Sequence, residues 1–170
     1  MNDLSRLCAE LNRAEARYVV VGGFAIIHAG FPRFTGDIDL LIDPALENEA
    51  KVFAALETLP DQAVKQLEAG DVARFTVVRV ADEIVVDLLA NSCGVDYREA
   101  IQEAVHAEIE GVRIPFASPR MLWKMKQTVR EKDIPDRLFL RKLLQLDETA
   151  VADTLAKQSI WRKVFFWRKG

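Results

Sequence analysis

The chain has 170 residues, half of them apolar and 29% charged, with a net charge of −3. That is the composition of one ordinary folded domain with room for a helical extension, and no repeat or low-complexity segment interrupts it. The two cysteines, Cys8 and Cys93, have no metal-type spacing. They indicate neither a disulfide framework nor a zinc site and fit a reducing cytoplasm. The N-terminal stretch is amphipathic and carries acids, unlike a secretory signal, and no apolar run is long enough for a transmembrane segment. Charge is unevenly spread. Residues 1–119 hold 10 Lys/Arg against 20 Asp/Glu, and residues 120–170 hold 13 against 6. An acidic front could hold metal. A basic rear could hold phosphates or RNA, or be a set of solvated helix faces.

In chain order, residues 3–16 predict a helix, with Leu4, Leu7, Cys8 and Leu11 at helical spacing and Asn2 or Asp3 as cap. Val19–Val21 reads as a buried strand. Gly22-Gly23 turns it into a helix over 24–29, which Gly30 ends and Pro32 keeps from resuming. Ile38–Ile42 is a second strand. Asp43-Pro44 predicts the start of an amphipathic helix that ends before Pro60. Residues 62–70 read as a short helix or loop. Residues 74–80 and 84–89 are β-rich, and Ala81-Asp82-Glu83 between them predicts a hairpin. A helix over 97–104 and a second hairpin around Gly111 follow. Ser118-Pro119 opens a helix to about residue 132. Another runs from Asp133 or Pro135 to about Leu146, and a last one from Asp147 or Thr149 toward Trp167. The expected fold class is α/β (α+β), a mixed β-sheet with flanking helices. Residues 1–117 would form the core and 118–170 a helical extension packed on it.

The chemistry concentrates in residues 18–42. Strands alternate faces, so Asp37 and Asp39 project to one side and Ile38 and Leu40 to the other. Two acids on one face of an apolar strand repel each other and lose hydration unless a cation or another partner sits between them. A divalent metal is the best explanation. Asp87, centred in Val85-Val86-Asp87-Leu88-Leu89, would come within about 5 Å of that row if its strand lies alongside. On an edge strand it would instead face water. Three converging carboxylates suit two divalent ions about 3.5–4 Å apart that clamp the oxygens of a phosphoryl displacement. Mg²⁺ fits such oxygen ligands, with Mn²⁺ as the alternative. Gly22-Gly23, where a strand turns into a helix, could aim backbone N–H groups at a phosphate chain, its missing Cβ atoms admitting the ligand, or could be a simple tight turn.

The string Gly22-Gly23-Phe24-Ala25, His28, Gly30, Arg33, Thr35, Asp37-Ile38-Asp39-Leu40 resembles the nucleotidyltransferase superfamily typified by DNA polymerase β. Within it, the string resembles the small bacterial branch related to AbiEii-type toxins. The resemblance implies a nucleotidyltransferase fold and transfer of a nucleoside monophosphate from a nucleoside triphosphate to a hydroxyl. It implies Asp37, Asp39 and Asp87 as metal ligands and catalytic groups, with Gly22 and Gly23 placing the triphosphate. It brings a tRNA end as acceptor, with protein or small molecule open, and an antitoxin as partner. The segment Lys126, Arg130, Lys132-Asp133, Asp136 also resembles that branch. Lys126 and Arg130, four apart on one helix face, would close over the phosphates. Alternatively, Lys132, Asp133 and Asp136 form a network at a helix boundary.

Other residues leave alternatives open. Arg33 could hold a phosphate or the acceptor bidentately, or brace the acids by ion pairing. Thr35 counts with Gly22, Gly23, Arg33 and Lys126 as a nucleotide- or phosphate-binding candidate and is expected to order its loop by a local hydrogen bond; His28 is expected to cap or fix a helix end. The tail from Ile160 to Gly170 mixes aromatics with cations. It could stack bases, touch a membrane surface or dock a partner, or pack on its own domain. Two functions compete: an Mg-dependent nucleotidyltransferase, and a catalytically inactive module that binds a nucleotide or partner in the same pocket.

Overall fold

A computed structural model describes residues 1–145; the helix expected after Asp147 and the aromatic, basic tail lie outside the described residues. The helices are α1 (Asp3–Arg13), α2 (Gly22–His28), α3 (Leu46–Leu56), α4 (Asp71–Arg74), α5 (Tyr97–Gln102), α6 (Pro119–Met125) and α7 (Ile134–Leu143). The strands are β1 (Tyr18–Val21), β2 (Asp37–Ile42), β3 (Val78–Ala81), β4 (Val85–Leu89), β5 (Asn91–Ser92), β6 (Val95–Asp96), β7 (Val105–Ile109) and β8 (Val112–Phe116). Six strands form one sheet in the order β3-β4-β2-β1-β8-β7. It is mixed: β1 runs antiparallel to β2 and parallel to β8, and β2 runs parallel to β4. The two hairpins, β3–β4 and β7–β8, sit at its edges. This is the mixed sheet with flanking helices that the residue pattern predicts.

The pattern explains each placement. β1 is apolar and buried at all four positions, as a central strand covered on both faces must be. β3 alternates buried Val78 and Val80 with exposed Arg79 and Ala81, as an edge strand should. α1 buries Leu4, Leu7, Cys8 and Leu11 as one stripe against α3 and β8, and Asn2 caps it by accepting from the Ser5 amide at 2.9 Å. Each such Leu, fully buried, contributes about 1.5–3 kcal/mol. In the β7–β8 turn, Glu110 and Gly111 both have positive φ, 51° and 79°, the backbone of a two-residue type I′ hairpin. The β3–β4 turn has no glycine. Asp82 closes it by accepting from the amides of Asp61, Ala63 and Glu83. Met121, Leu122 and Met125 of α6 bury into the same hydrophobic core as the sheet.

Several boundaries differ from the sequence reading. Asp43-Pro44 does not start α3, which begins at Leu46. Asp43 is held instead by the Ala45 amide at 3.0 Å and the Arg17 guanidinium at 2.9 Å. The β-rich run 74–80 begins as strand only at Val78. Before it, Glu49, almost fully buried, accepts from the Gly70 and Val72 amides and holds the short α4 in place. The hairpin of β5 and β6 had no expectation. The helix expected from 118 to about 132 stops at Met125, for reasons that belong to the site below.

Asn48 ties the sheet to this corner. Its side chain accepts from the Arg17 amide at 2.6 Å and donates to the carbonyls of Arg17 and Asp43 at 3.0 and 2.8 Å, with no solvent exposure. Asn48→Ala removes three hydrogen bonds and takes this partner from the part-buried Arg17 amide and Asp43 carbonyl, while the Arg17 carbonyl keeps the Asp43 amide at 3.3 Å. It should cost about 3 kcal/mol, read as a lower urea midpoint with unchanged slope.

Candidate active site

Along β2, Asp37 and Asp39 are partly exposed while Ile38 and Leu40 are buried, the alternation that the strand dictates. β4 lies directly beside β2, and its register sets Asp87 opposite Asp39. One carboxylate oxygen from each of Asp37, Asp39 and Asp87 lies within 4.8 Å of the others. Burial raises the Asp39 pKa above its ordinary value, and the charges of Asp37 and Asp87 raise it further. The Gly23 amide and the Lys126 charge offset part of that rise. The donor set is all carboxylate, with no thiolate or imidazole. It fits a hard divalent cation such as Mg²⁺ or Mn²⁺.

The glycine pair opens α2 against this row. Gly22 has φ +60°, and a Cβ there would lie 1.9 Å from Asp39 Oδ2. A Cβ on Gly23 would lie 2.3 Å from Thr35 Oγ1. The missing Cβ atoms therefore make room first for the protein's own Asp39 and Thr35, where the sequence reading had them admit a ligand. The Gly23 amide points at Asp39 Oδ2, 3.4 Å away, and Thr35 Oγ1 donates to Asp37 Oδ1 at 3.0 Å. Thr35 thus orients an acid as well as its loop.

A fourth residue completes the acid row. Arg79 of β3 donates to both oxygens of Asp87, each at 2.7 Å, and its Nη2 lies 3.5 Å from Asp37 Oδ2. The hydrogen bonds and charge of Asp87 push the Arg79 pKa still higher. Sequence reasoning passed over Arg79, although the hairpin contained the signal. Pairing Ala81 with Val85 across the turn places Arg79 opposite Asp87.

Lys126 sits at the end of α6, and its ammonium is 2.8 Å from Asp133 and 2.9 Å from Asp136. Both acids are 1% exposed. In one continuous helix, residues 126 and 133 would be about 10 Å apart along the axis, so the pairing requires the chain to turn back. It does so through Gln127–Arg130 and a 3₁₀ turn, Glu131–Asp133, into α7. Thr128 and Arg130 also bond Asp133, and Arg137 donates to the carbonyls of Lys126 and Thr128. The shared helix face expected for Lys126 and Arg130 is therefore corrected: Lys126 caps the end of α6, and Arg130 precedes the 3₁₀ turn. Arg33 does not brace the acid row, because its guanidinium pairs with Asp136 at 2.7 Å. His28 stacks on Phe116, 4.2 Å between centroids, and its burial lowers its pKa.

These parts surround one cavity of about 410 Å³. The acid row and both glycines line it, and Arg33, Arg79, Lys126, Arg130 and Lys132 bring positive charge to it. Thr35 stands behind Asp37 and does not line it.

Two outcomes follow from this geometry. Gly22→Ala forces a left-handed backbone and a collision with Asp39. It should destabilise by at least about 2 kcal/mol, read by chemical denaturation. Burial raises the Asp133 pKa, but hydrogen bonds from Lys126 and Thr128 and the charges of Lys126 and Arg130 outweigh it and hold the group at about 2. The folded value lies below the unfolded one, so its stabilisation is complete above about pH 4 and fades as pH falls toward 2. Asp133→Asn should lose on the order of 2 kcal/mol at pH 7 and flatten the acid limb of stability between pH 4 and 2.

The sequence matches, over residues 1–164, the family described as "Nucleotidyl transferase of unknown function (DUF2204)". No curated protein matches the chain. No helix among the described residues is long and apolar enough to cross a membrane. The match spans nearly the whole chain, and the mixed sheet is consistent with a nucleotidyltransferase fold; the protein belongs to this nucleotidyltransferase family.

Proposed function

We propose that the protein is a Mg²⁺-dependent nucleotidyltransferase that moves a nucleoside monophosphate from a nucleoside triphosphate to a hydroxyl acceptor, with release of pyrophosphate. The convergence of Asp37, Asp39 and Asp87 beside the glycine turn, inside a cavity rimmed by cations, carries this reading. The three carboxylates would hold the divalent ions, with Mn²⁺ as substitute. Bound there, the cations would neutralise phosphate charge and steady the attacking and leaving oxygens. Asp87 also serves as the base for the incoming hydroxyl. Thr35 keeps Asp37 oriented, and the Gly23 amide does the same for Asp39. Gly22, Gly23, Arg33 and Lys126 line the cavity and would face the triphosphate. The Arg33 and Lys126 charges are already shared with Asp136 and Asp133, so they present as a fixed, preorganised set.

The acceptor class extends the same proposal. A tRNA end is the first candidate, in keeping with the basic residues after 119, and protein or small-molecule hydroxyls are the others. As a toxin the protein would arrest growth on expression and be neutralised by an antitoxin. The second reading, a non-catalytic binding module, draws on the Arg79 fork that covers Asp87.

Incubation with labelled nucleoside triphosphates and Mg²⁺, against tRNA, protein and the enzyme itself, should give a labelled product. Asp39→Asn should lower its rate by about 100-fold or more. Triphosphate binding that needs metal but yields no product with any acceptor would favour the module. A labelled product undiminished in Asp39→Asn would sink the assignment of the site.

A further inference from the structure

The acid row already has a cation in it. Arg79 takes both oxygens of Asp87 at 2.7 Å and reaches Asp37 at 3.5 Å. A bidentate fork uses one lone pair on each carboxylate oxygen and sets a positive charge against the acids that a divalent ion would need. Among the described residues, Asp37 at 3.5 Å is the one other ion-pair partner of Arg79. Arg79 stands on the edge strand β3 opposite Asp87 and is 58% exposed, and among the described residues its hydrogen bonds are to Asp87 alone. The fork's partner, by contrast, is 9% exposed and held in the middle of β4. The guanidinium is therefore the part free to move.

We propose that Arg79 is the resident counter-cation of the acid row, which a divalent ion must displace from Asp87, so that this residue sets the metal affinity of the site. The proposal rests on the metal-site reading above and adds a residue to it. In the metal-free protein the fork offsets the repulsion among three carboxylates. On metal binding, Asp87 exchanges a monovalent partner for a divalent one, and the released guanidinium remains on the wall of the same cavity. Arg79 is a positioning residue: it acts on Asp87, and through Asp87 on the ion.

The test is titration of the full chain with Mn²⁺ alone, by calorimetry, in wild type, Arg79→Met, Arg79→Lys and Asp39→Asn. Arg79→Met should bind Mn²⁺ about 10-fold more tightly than wild type, because both the competing fork and its charge are gone. Arg79→Lys, which keeps the charge without the fork, should fall between them. Thermal unfolding gives a second readout. Arg79→Met should melt below wild type in chelator, since the carboxylates lose their partner, and should gain more from Mn²⁺ than wild type does. Equal or weaker Mn²⁺ binding by Arg79→Met would overturn the role of Arg79 while leaving the metal site standing. Absence of Mn²⁺ binding in every variant would overturn both. Binding that survives unchanged in Asp39→Asn would place the ion elsewhere and also overturn both.

Discussion

The structure is organised by the parallel pairing of β2 with β4. That register puts Asp39 opposite Asp87, with Asp37 two residues along the same face. Three carboxylates whose oxygens lie within 4.8 Å of one another repel, and burial together with its two neighbours raises the Asp39 pKa. The surroundings answer that repulsion in three ways. The Gly23 amide faces Asp39, the Thr35 hydroxyl faces Asp37, and the Arg79 guanidinium grips Asp87. Each comes from a different element: the start of α2, the loop before β2, and β3. The repulsion thus gives the central strands, an edge hairpin and the first helix of the site a common electrostatic purpose.

A second polar cluster shares the lining of the cavity through Arg33, Lys126, Arg130 and Asp133. Lys126, Asp133, Asp136, Arg33, Arg130 and Thr128 interlock where α6 gives way to α7. Two nearly inaccessible acids hold three cations here. Removing one member of such a buried set strands the rest, so the cluster is a rigid wall more than a collection of exchangeable contacts. It also joins distant parts of the chain, since Arg33 lies about one hundred residues before Asp136. The lining of the cavity therefore carries both carboxylates and cations.

Much of the order of elements was legible from residue spacing. The apolar run 18–21, the acids alternating with Ile38 and Leu40, and the leucine stripe of α1 each declare their geometry locally. So do Ser118-Pro119 and the Glu110-Gly111 turn. Boundaries failed where a distant side chain took over. Pro44 looked like a helix start, but Asp43 is claimed by Arg17. The helix from Ser118 looked continuous, but Lys126 is claimed by Asp133 and Asp136. Arg79 was missed although its partner had been singled out, because its importance depends on reading hairpin register and the acid row together.

The sequence by itself determined which strand faces are apolar, where the acids fall on them, and where glycine permits a turn that other residues resist. These follow from periods of 2 and 3.6 residues and from backbone sterics, which act over a few positions. Only the tertiary structure decided which charged groups answer one another: Arg79 with Asp87, Arg33 with Asp136, Lys126 with Asp133 and Asp136. Ion pairing acts through space at about 3 Å, and local pattern does not specify which of several loops will bring a cation that close.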